Sequence, residues 1–157
     1  MPATVHASAV LVGTRAVLIR GPSGAGKSRL ALELLAAART NVLPFARLVG
    51  DDRVHLEAVN GRLLVRPAEA LAGLIELRGL GLLRLPHEPS AVVGLVVDLD
   101  AADAERLPEE PRRKVALNGI ALPRLAVAAG TAALPVVLAL LTSCRAGPDD
   151  GPMNRWQ

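Results

Sequence analysis

The sequence predicts an α/β fold: a single P-loop-containing domain with a mixed, hairpin-rich sheet and few helices. One short apolar run, residues 16–19, leads into a glycine-rich loop that is followed by a helical run. Other short apolar runs are separated by tight-turn pairs, of which Asn60-Gly61 and Asn118-Gly119 are the strongest. Only two longer stretches, residues 29–39 and 134–142, have helical character. Hairpins with so few helices favour a mixed sheet over a uniform series of βαβ units.

The chain is expected to begin with a hairpin that feeds the glycine-rich loop. Residues 10–12 and 16–19 are apolar and flank Gly13-Thr14, a pair suited to a tight turn. The helix that follows the loop carries apolar side chains at helical spacing. These side chains are Leu30, Ala31, Leu34, Leu35 and Ala38.

The remaining elements follow in order. A short strand at residues 48–50 ends in Asp51-Asp52, and a hairpin about Asn60-Gly61 comes next. Residues 67–72 favour a short helix, and residues 92–99 form a nearly continuous apolar run that is typical of a buried strand. Further strands are expected at residues 74–77, 82–85, 115–117 and 120–122, with a polar connection at 108–114 and a C-terminal helix at 134–142.

The length and the composition predict one globular domain. The chain has 157 residues, of which 51% are apolar, so it has enough material for a core. We expect the domain to span residues 1–144 and residues 145–157 to form a flexible tail, since that segment contains two Gly-Pro pairs.

The charge and the aromatic content argue against nucleic-acid binding. The formal net charge is only +3, without a basic block, and Phe45 and Trp156 are the aromatic residues. The longest apolar stretch, residues 131–141, contains Pro135 and is too short to span a bilayer. The single cysteine, Cys144, cannot form an intrachain disulfide and fits a reducing compartment. We therefore expect a cytoplasmic protein with no membrane segment.

The glycine-rich loop has the pattern G-x-x-x-x-G-K-[ST], which cradles nucleotide phosphates. Its members are Gly21, Pro22, Ser23, Gly24, Ala25, Gly26, Lys27 and Ser28. Glycines let successive backbone N–H groups curl around phosphate oxygens, and the following helix adds its positive end. Lys27 would place a charge near the β- and γ-phosphates, and the hydroxyl of Ser28 would bind Mg²⁺. Lysine is rare in this chain, with two lysines against sixteen arginines, so Lys27 does not reflect a lysine-rich background.

Phosphoryl transfer also needs a carboxylate for the metal and a group that orients or deprotonates the acceptor. Four acidic residues are candidates: the adjacent pair Asp51 and Asp52 at a strand end, Glu76, and Asp98, which closes a strand resembling a Walker B segment. In an extended segment neighbouring side chains point to opposite sides, so Asp51 and Asp52 would divide the two tasks. The residues alone leave Asp98 open as the metal ligand.

Several ordered blocks resemble the catalytic domain of the HPr kinase/phosphorylase family. His6 lies fifteen residues before Gly21, the spacing that this family shows. Residues 48–54, Leu-Val-Gly-Asp-Asp-Arg-Val, are similar to the family's Leu-Val-Ala-Asp-Asp-x-Val. Residues 75–83, Ile-Glu-Leu-Arg-Gly-Leu-Gly-Leu-Leu, are similar to its signature. Residues 105–107 and 122–124 resemble its Asp-Arg-Leu and Val-Pro-Arg segments.

The resemblance implies a role for each matching residue. His6, Lys27 and Arg106 would be active-site residues, and Asp52 would take the proton from a seryl hydroxyl, with Asp51 in support. Ser28 and Glu76 would hold Mg²⁺, which leaves Asp98 as a strand-end residue. The resemblance further implies a phosphoenolpyruvate carboxykinase-like fold, ATP as the phosphate donor, an HPr-type phosphocarrier protein as the acceptor, and a homo-oligomer, a hexamer in this family.

The chain also departs from the family. It resembles the short form found in some α-proteobacteria, without the N-terminal domain of longer members, and residues 40–47 look like a small insertion. The family's basic loop tied to dephosphorylation, Pro-Val-Arg-Pro-Gly-Arg-Asn, corresponds to residues 128–133, where both arginines are absent. A loop without cations loses charge-assisted bonds to an incoming phosphate, so we expect the reverse, phosphorylase activity to be weak or absent.

Two other functions remain open from the residues. A small-molecule kinase on a phosphate loop would need an arginine-rich lid, and Arg112-Arg113-Lys114 is the one cluster of that kind. A nucleotide-binding regulatory module without catalysis would fit the short chain and the absence of both arginines from residues 128–133.

Overall fold

The computed structural model describes residues 3–143, and the expected elements occur in their expected order. The tail predicted at residues 145–157, together with Cys144, lies outside the described residues. The strands are β1 (Thr4–Val12), β2 (Arg15–Arg20), β3 (Ala46–Gly50), β4 (Arg53–Val59), β5 (Arg62–Pro67), β6 (Leu74–Leu77), β7 (Gly81–Arg84), β8 (Ala91–Asp98), β9 (Lys114–Leu117) and β10 (Ile120–Ala126). The helices are α1 (Lys27–Arg39) and α2 (Ala133–Thr142), with short 3-10 turns at Glu69–Leu71 and Glu110–Arg113.

The predicted hairpins form because their turn residues accept a left-handed backbone. Asn60 and Gly61 have φ of 51° and 75°, and Asn118 and Gly119 have φ of 51° and 79°. Two consecutive positive φ values match the right-handed twist of the flanking strands, which is why Asn-Gly pairs predict two-residue hairpins. The pairs β4–β5 and β9–β10 are therefore antiparallel and adjacent, as expected.

The main sheet is mixed. β2 and β10 both run parallel to β8, whereas β1 pairs antiparallel with β2, β3 and β4. Pairing passes from β2 through β1, β4, β5 and β8 and returns to β2, while β6 and β7 form a separate two-stranded sheet. The predicted mixed α/β fold with few helices is confirmed.

Two apolar cores lie on opposite faces of the central strands. Alternation along β1 sends Ala7 and Ala9 to one core and Val10 and Val12 to the other. The core on the side of Val10 also contains the buried faces of both helices. Neither helix in the described part of the chain is long and apolar enough to cross a membrane.

The topology brings several strand ends to one edge of the sheet. Because β2, β8 and β10 are parallel, their carboxyl ends and the loops that follow lie together. β1 is antiparallel to β2, and the pairing of Ala7 with Arg20 brings the start of β1 to the same edge. β3 is antiparallel to β1, and the pairing of Ala9 with Gly50 places the end of β3 there as well.

Candidate active site

A cleft of about 900 Å³ opens at this edge of the sheet. Most of the residues predicted for the site line it: the phosphate loop from Ser23 to Ser28, His6, Asp52 and Glu76. The cleft is also lined by Leu99, Asp100 and the segment of residues 127–134 that leads into α2. Residues far apart in the sequence thus share one open space.

The phosphate loop connects β2 to α1. Gly24 and Gly26 have φ of 83° and 97°, a region that side chains disfavour, so glycine permits the curl of the loop. α1 begins at Lys27 with no side-chain cap on its first N–H groups and no acidic residue in its first turn. The positive end of the helix dipole and its free N–H groups are thereby left for an anion.

Lys27 is only 7% exposed, and its ammonium group is folded against the loop. Its Nζ atom donates to the carbonyl oxygens of Gly21 at 2.8 Å and of Pro22 at 3.0 Å. An ammonium group has three donors, so these two bonds leave one for a phosphate oxygen. The contacts with the loop position the charge before any ligand binds.

Asp51 is a buried carboxylate, 3% exposed, at the end of β3. Its Oδ1 atom accepts hydrogen bonds from the hydroxyl of Ser28 at 2.7 Å and from that of Ser8 at 2.6 Å. Its Oδ2 atom accepts a second contact from Ser28 at 2.9 Å and one from the backbone N–H of Glu76 at 3.3 Å. Asp51 therefore links β1, the phosphate loop and β6.

Asp52 lies in a tight turn between β3 and β4. Its φ is 66°, and the N–H of Arg53 donates to the carbonyl of Asp51 at 2.7 Å. The sequence suggested that strand alternation would separate the two aspartate side chains. In the structure this turn separates them instead. Asp51 is buried, whereas the side chain of Asp52 is 60% exposed and its Oδ1 lies 2.8 Å from Nε2 of His6.

The oxygen donors fit a magnesium ion. The hydroxyl of Ser28 lies against the carboxylate of Asp51, and Glu76 lines the same cleft from β6. Within residues 3–143 there is no group of three or more His, Cys, Asp or Glu arranged to hold a metal by itself. Mg²⁺ commonly binds through one or two carboxylates together with substrate phosphates, so this sparse oxygen set suits a metal that arrives with a nucleotide.

Asp98 is engaged by arginines. Its oxygens accept hydrogen bonds from Arg20 at 2.7 and 2.8 Å and from Arg124 at 2.6 Å. Burial alone would raise the pKa of Asp98, but the hydrogen bonds and charges of Arg20 and Arg124 outweigh it and hold the pKa below its usual value. Arg124 also forms an ion pair with Asp103, and the hydrogen bond that Arg124 donates lowers the pKa of the Asp103 carboxyl. Asp98 does not line the cleft within the described structure, which removes the support for a Walker B role.

Arg106 is not brought to the cleft. It is exposed in the segment between β8 and the second 3-10 turn, and it is not among the described residues that line the cleft. Sequence reasoning also missed Ser8, which is fully buried, and Asp100, which lines the cleft. The signal that the sequence offered for Ser8 was a hydroxyl two residues after His6, flanked by Ala7 and Ala9.

The segment expected to replace the family's basic loop forms a wall of the cleft. Residues 128–133, Ala-Ala-Gly-Thr-Ala-Ala, all line it and carry no charge. The basic side chains that line the described cleft are Lys27, Arg29, Arg78 and His6. Within the described cleft the lysine and arginines therefore come from α1 and from the residue after β6, and none comes from residues 128–133.

Comparison with known proteins agrees with this geometry. Residues 2–132 match the family described as HPr Serine kinase C-terminal domain. The chain is 36% identical over 140 residues to the HPr kinase/phosphorylase of Geobacillus thermodenitrificans, covering 78% of the chain and 41% of the relative. It is 32% identical over 135 residues to the HPr kinase/phosphorylase of Streptococcus thermophilus, covering 79% of the chain and 41% of the relative. The chain thus spans about two fifths of these curated relatives.

A solved structure has the same fold. The Hpr(Ser) kinase/phosphatase from Coxiella burnetii superimposes with a TM-score of 0.70 at 23% sequence identity, covering 88% of this chain and 93% of that one. The agreement extends over nearly the whole described domain.

Proposed function

Because the chain belongs to the family of HPr serine kinase C-terminal domains, we propose that it is an ATP-dependent kinase that phosphorylates a serine of an HPr-type phosphocarrier protein. The observation that carries the proposal is one cleft lined by both the phosphate loop and Asp52, with Asp51 hydrogen-bonded to Ser28 of that loop. The phosphate loop suits the phosphate donor, and Asp52 suits a group that accepts the proton of the seryl hydroxyl.

The donor site is the loop of residues 21–28 acting as a P-loop in a phosphoenolpyruvate carboxykinase-like fold. Its N–H groups and the start of α1 would bind the phosphates of ATP, and Lys27 would donate to the transferring phosphoryl group. Mg²⁺ held by Ser28 and Glu76, when bound, would neutralise charge on the phosphates. Asp51 would keep the hydroxyl of Ser28 in place through the bonds at 2.7 and 2.9 Å.

The acceptor site is built around Asp52. Its Oδ1 is held by His6, and its Oδ2 makes no hydrogen bond to any residue between 3 and 143, so one oxygen is open to a seryl hydroxyl. As the serine oxygen bonds to the γ-phosphorus and the bond to the β-phosphate oxygen breaks, the proton passes to Asp52 and ADP leaves. The 60% exposure of the Asp52 side chain allows a protein surface to reach it.

The reverse reaction would be weak or absent. A phosphorylase must bind inorganic phosphate beside the phosphoserine, and residues 128–133 offer that phosphate no cation. Arg106 stays a candidate that would act only if its segment moved toward the cleft when substrate binds.

We further propose a domain extent, a cellular location and an assembly for the protein. The catalytic domain would span residues 1–144 with a tail at 145–157, and the protein would be cytoplasmic and would form a homo-oligomer, a hexamer. Light scattering of the purified protein measures the oligomer directly. A monomer at micromolar concentration would contradict the proposed hexamer but would not contradict the proposed kinase activity.

The decisive experiment is phosphotransfer. The purified chain is incubated with γ-labelled ATP, Mg²⁺ and HPr-type proteins, and mass analysis locates the modified residue. A single phosphoserine that depends on Asp52 supports the proposal. Nucleotide binding without transfer to any HPr-type protein would instead favour a regulatory module, and transfer to a small molecule alone would favour a small-molecule kinase.

A further inference from the structure

We propose that Ser8 is a positioning residue of this site, which acts through Asp51 to set the affinity for the divalent cation that accompanies the nucleotide. The inference rests on the proposed function, since it concerns how the same site holds its metal. Ser8 would touch neither nucleotide nor acceptor.

The first support is the placement of Ser8 on its strand. His6 and Ser8 are two residues apart on β1, so their side chains leave the same face. One reaches Asp52 and the other reaches Asp51, so a single strand binds both members of the aspartate pair. The even positions that follow, Val10 and Val12, pack in the core beside α1, which fixes this face of the strand.

The second support is burial. Ser8 is 0% exposed and Asp51 is 3% exposed, so their hydrogen bond of 2.6 Å is shielded from water. A hydrogen bond to a buried carboxylate is worth more than one between neutral groups, and its loss leaves the charge under-solvated. Ser8, Lys27 and Asp51 are the buried polar or charged residues of the described chain, and all three lie at this site.

The third support is how the four hydrogen-bond contacts divide over the carboxylate. Ser28 contacts both oxygens, Ser8 contacts Oδ1, and the N–H of Glu76 contacts Oδ2. When the hydroxyl oxygen of Ser28 also binds the cation, Ser8 and the N–H of Glu76 still hold Oδ1 and Oδ2 of Asp51, respectively. Without Ser8 the carboxylate would be free to rotate about the remaining contacts, and the hydroxyl of Ser28 would lose its fixed partner.

The test measures cation binding apart from turnover. Electron paramagnetic resonance of Mn²⁺ with a non-hydrolysable ATP analogue gives the dissociation constant of the bound cation. We expect Ser8→Ala to raise this constant about tenfold, the loss of one charge-assisted bond, and to leave cation-free nucleotide binding within about twofold. Ser8→Thr keeps the hydroxyl and should restore cation affinity to within about threefold of the wild-type value.

Val10→Ala is the matched control, because it removes buried volume from the same face of β1 without touching Asp51. It should lower the free energy of unfolding and leave cation affinity unchanged. The inference is overturned if Ser8→Ala binds Mn²⁺ like the wild type, or if Val10→Ala weakens binding equally. If Ser8→Ala does not fold, Ser8→Cys replaces it, since a thiol of similar size is only a weak donor. A wild-type protein that binds neither nucleotide nor cation would contradict the proposed function itself.

Discussion

His6 and Asp52 are 46 positions apart in the sequence, yet Nε2 of His6 lies 2.8 Å from Oδ1 of Asp52. The contact exists because β1 pairs antiparallel with β4, with His6 opposite Arg53, the residue after Asp52. The turn between β3 and β4 then holds the carboxylate against the ring. Both side chains stay partly exposed, so the pair faces the cleft and not the core.

Replacing His6 tests whether it orients Asp52. We expect His6→Ala to lower kcat of phosphotransfer about tenfold with little change in the nucleotide dissociation constant, since one oriented hydrogen bond is lost. His6→Gln can still donate an N–H toward Asp52 and should retain more activity than His6→Ala. Equal activity of both variants would mean that the imidazole acts in another way.

Replacing Asp52 tests the proton acceptor. Asn tolerates the φ of 66° at this position, so Asp52→Asn should preserve the turn while removing the basic oxygen. We expect kcat to fall about 10²- to 10⁴-fold, with nucleotide affinity within about twofold of the wild-type value. Fluorescence titration with an ATP analogue and a labelled transfer assay measure the two quantities. Transfer that persists at the wild-type rate would refute the role of Asp52.

Replacing Lys27 tests the donor site. Lys27→Met keeps the length of the side chain but removes the two hydrogen bonds to the loop and the charge. We expect the nucleotide dissociation constant to rise about tenfold or more and transfer to become undetectable. Arg29→Met, at a neighbouring exposed cation lining the same cleft, is the control for a general loss of positive charge. An equal loss in both variants would show that net charge, not the position of Lys27, governs binding.

The ion pairs of Asp98 predict a pH-dependent contribution to stability. Its side chain is 14% exposed, that of Arg124 is 13% exposed and that of Arg20 is 32% exposed. Asp98→Asn should therefore cost about 2 kcal/mol at pH 7, because it leaves two partly buried guanidinium groups under-paired. The folded pKa lies below the unfolded value, so this stabilisation is present above about pH 4 and is lost as the pH falls through the folded pKa.

Urea unfolding at pH 7 and at about pH 3 measures this contribution. The difference between the wild type and Asp98→Asn should shrink at the lower pH. Asp100→Asn, at an exposed residue nearby, should show no comparable cost at either pH. A pH-independent difference for Asp98→Asn would contradict the electrostatic origin.

The uncharged wall at residues 128–133 predicts the direction of the reaction. With phosphoserine-HPr and millimolar inorganic phosphate, we expect little phosphate transfer back and little pyrophosphate. The measurement is pyrophosphate release, with forward transfer by the same preparation as the control. Efficient pyrophosphate production would show that other groups bind the incoming phosphate.

The sequence by itself determined the elements and the kind of site. Turn pairs such as Asn60-Gly61 encode their hairpins locally, since Asn and Gly accept positive φ. The phosphate loop is a contiguous motif, so its strand, curl and helix could be read from neighbouring residues. Asp51 and Asp52, at a strand end, and Glu76 were candidates because phosphoryl transfer needs a carboxylate for the metal and a group that orients or deprotonates the acceptor.

Only the tertiary structure decided which side chains meet. Asp98 and Asp51 both follow apolar strands, but Asp98 faces Arg20 and Arg124 while Asp51 faces Ser28. Ser8 became visible only when β1 was placed beside β3, and Arg106 fell outside the cleft although its sequence block resembles the family. Local propensity acts over a few residues, whereas these contacts join segments from 23 positions apart, as in Ser28 and Asp51, to 78 positions apart, as in Arg20 and Asp98.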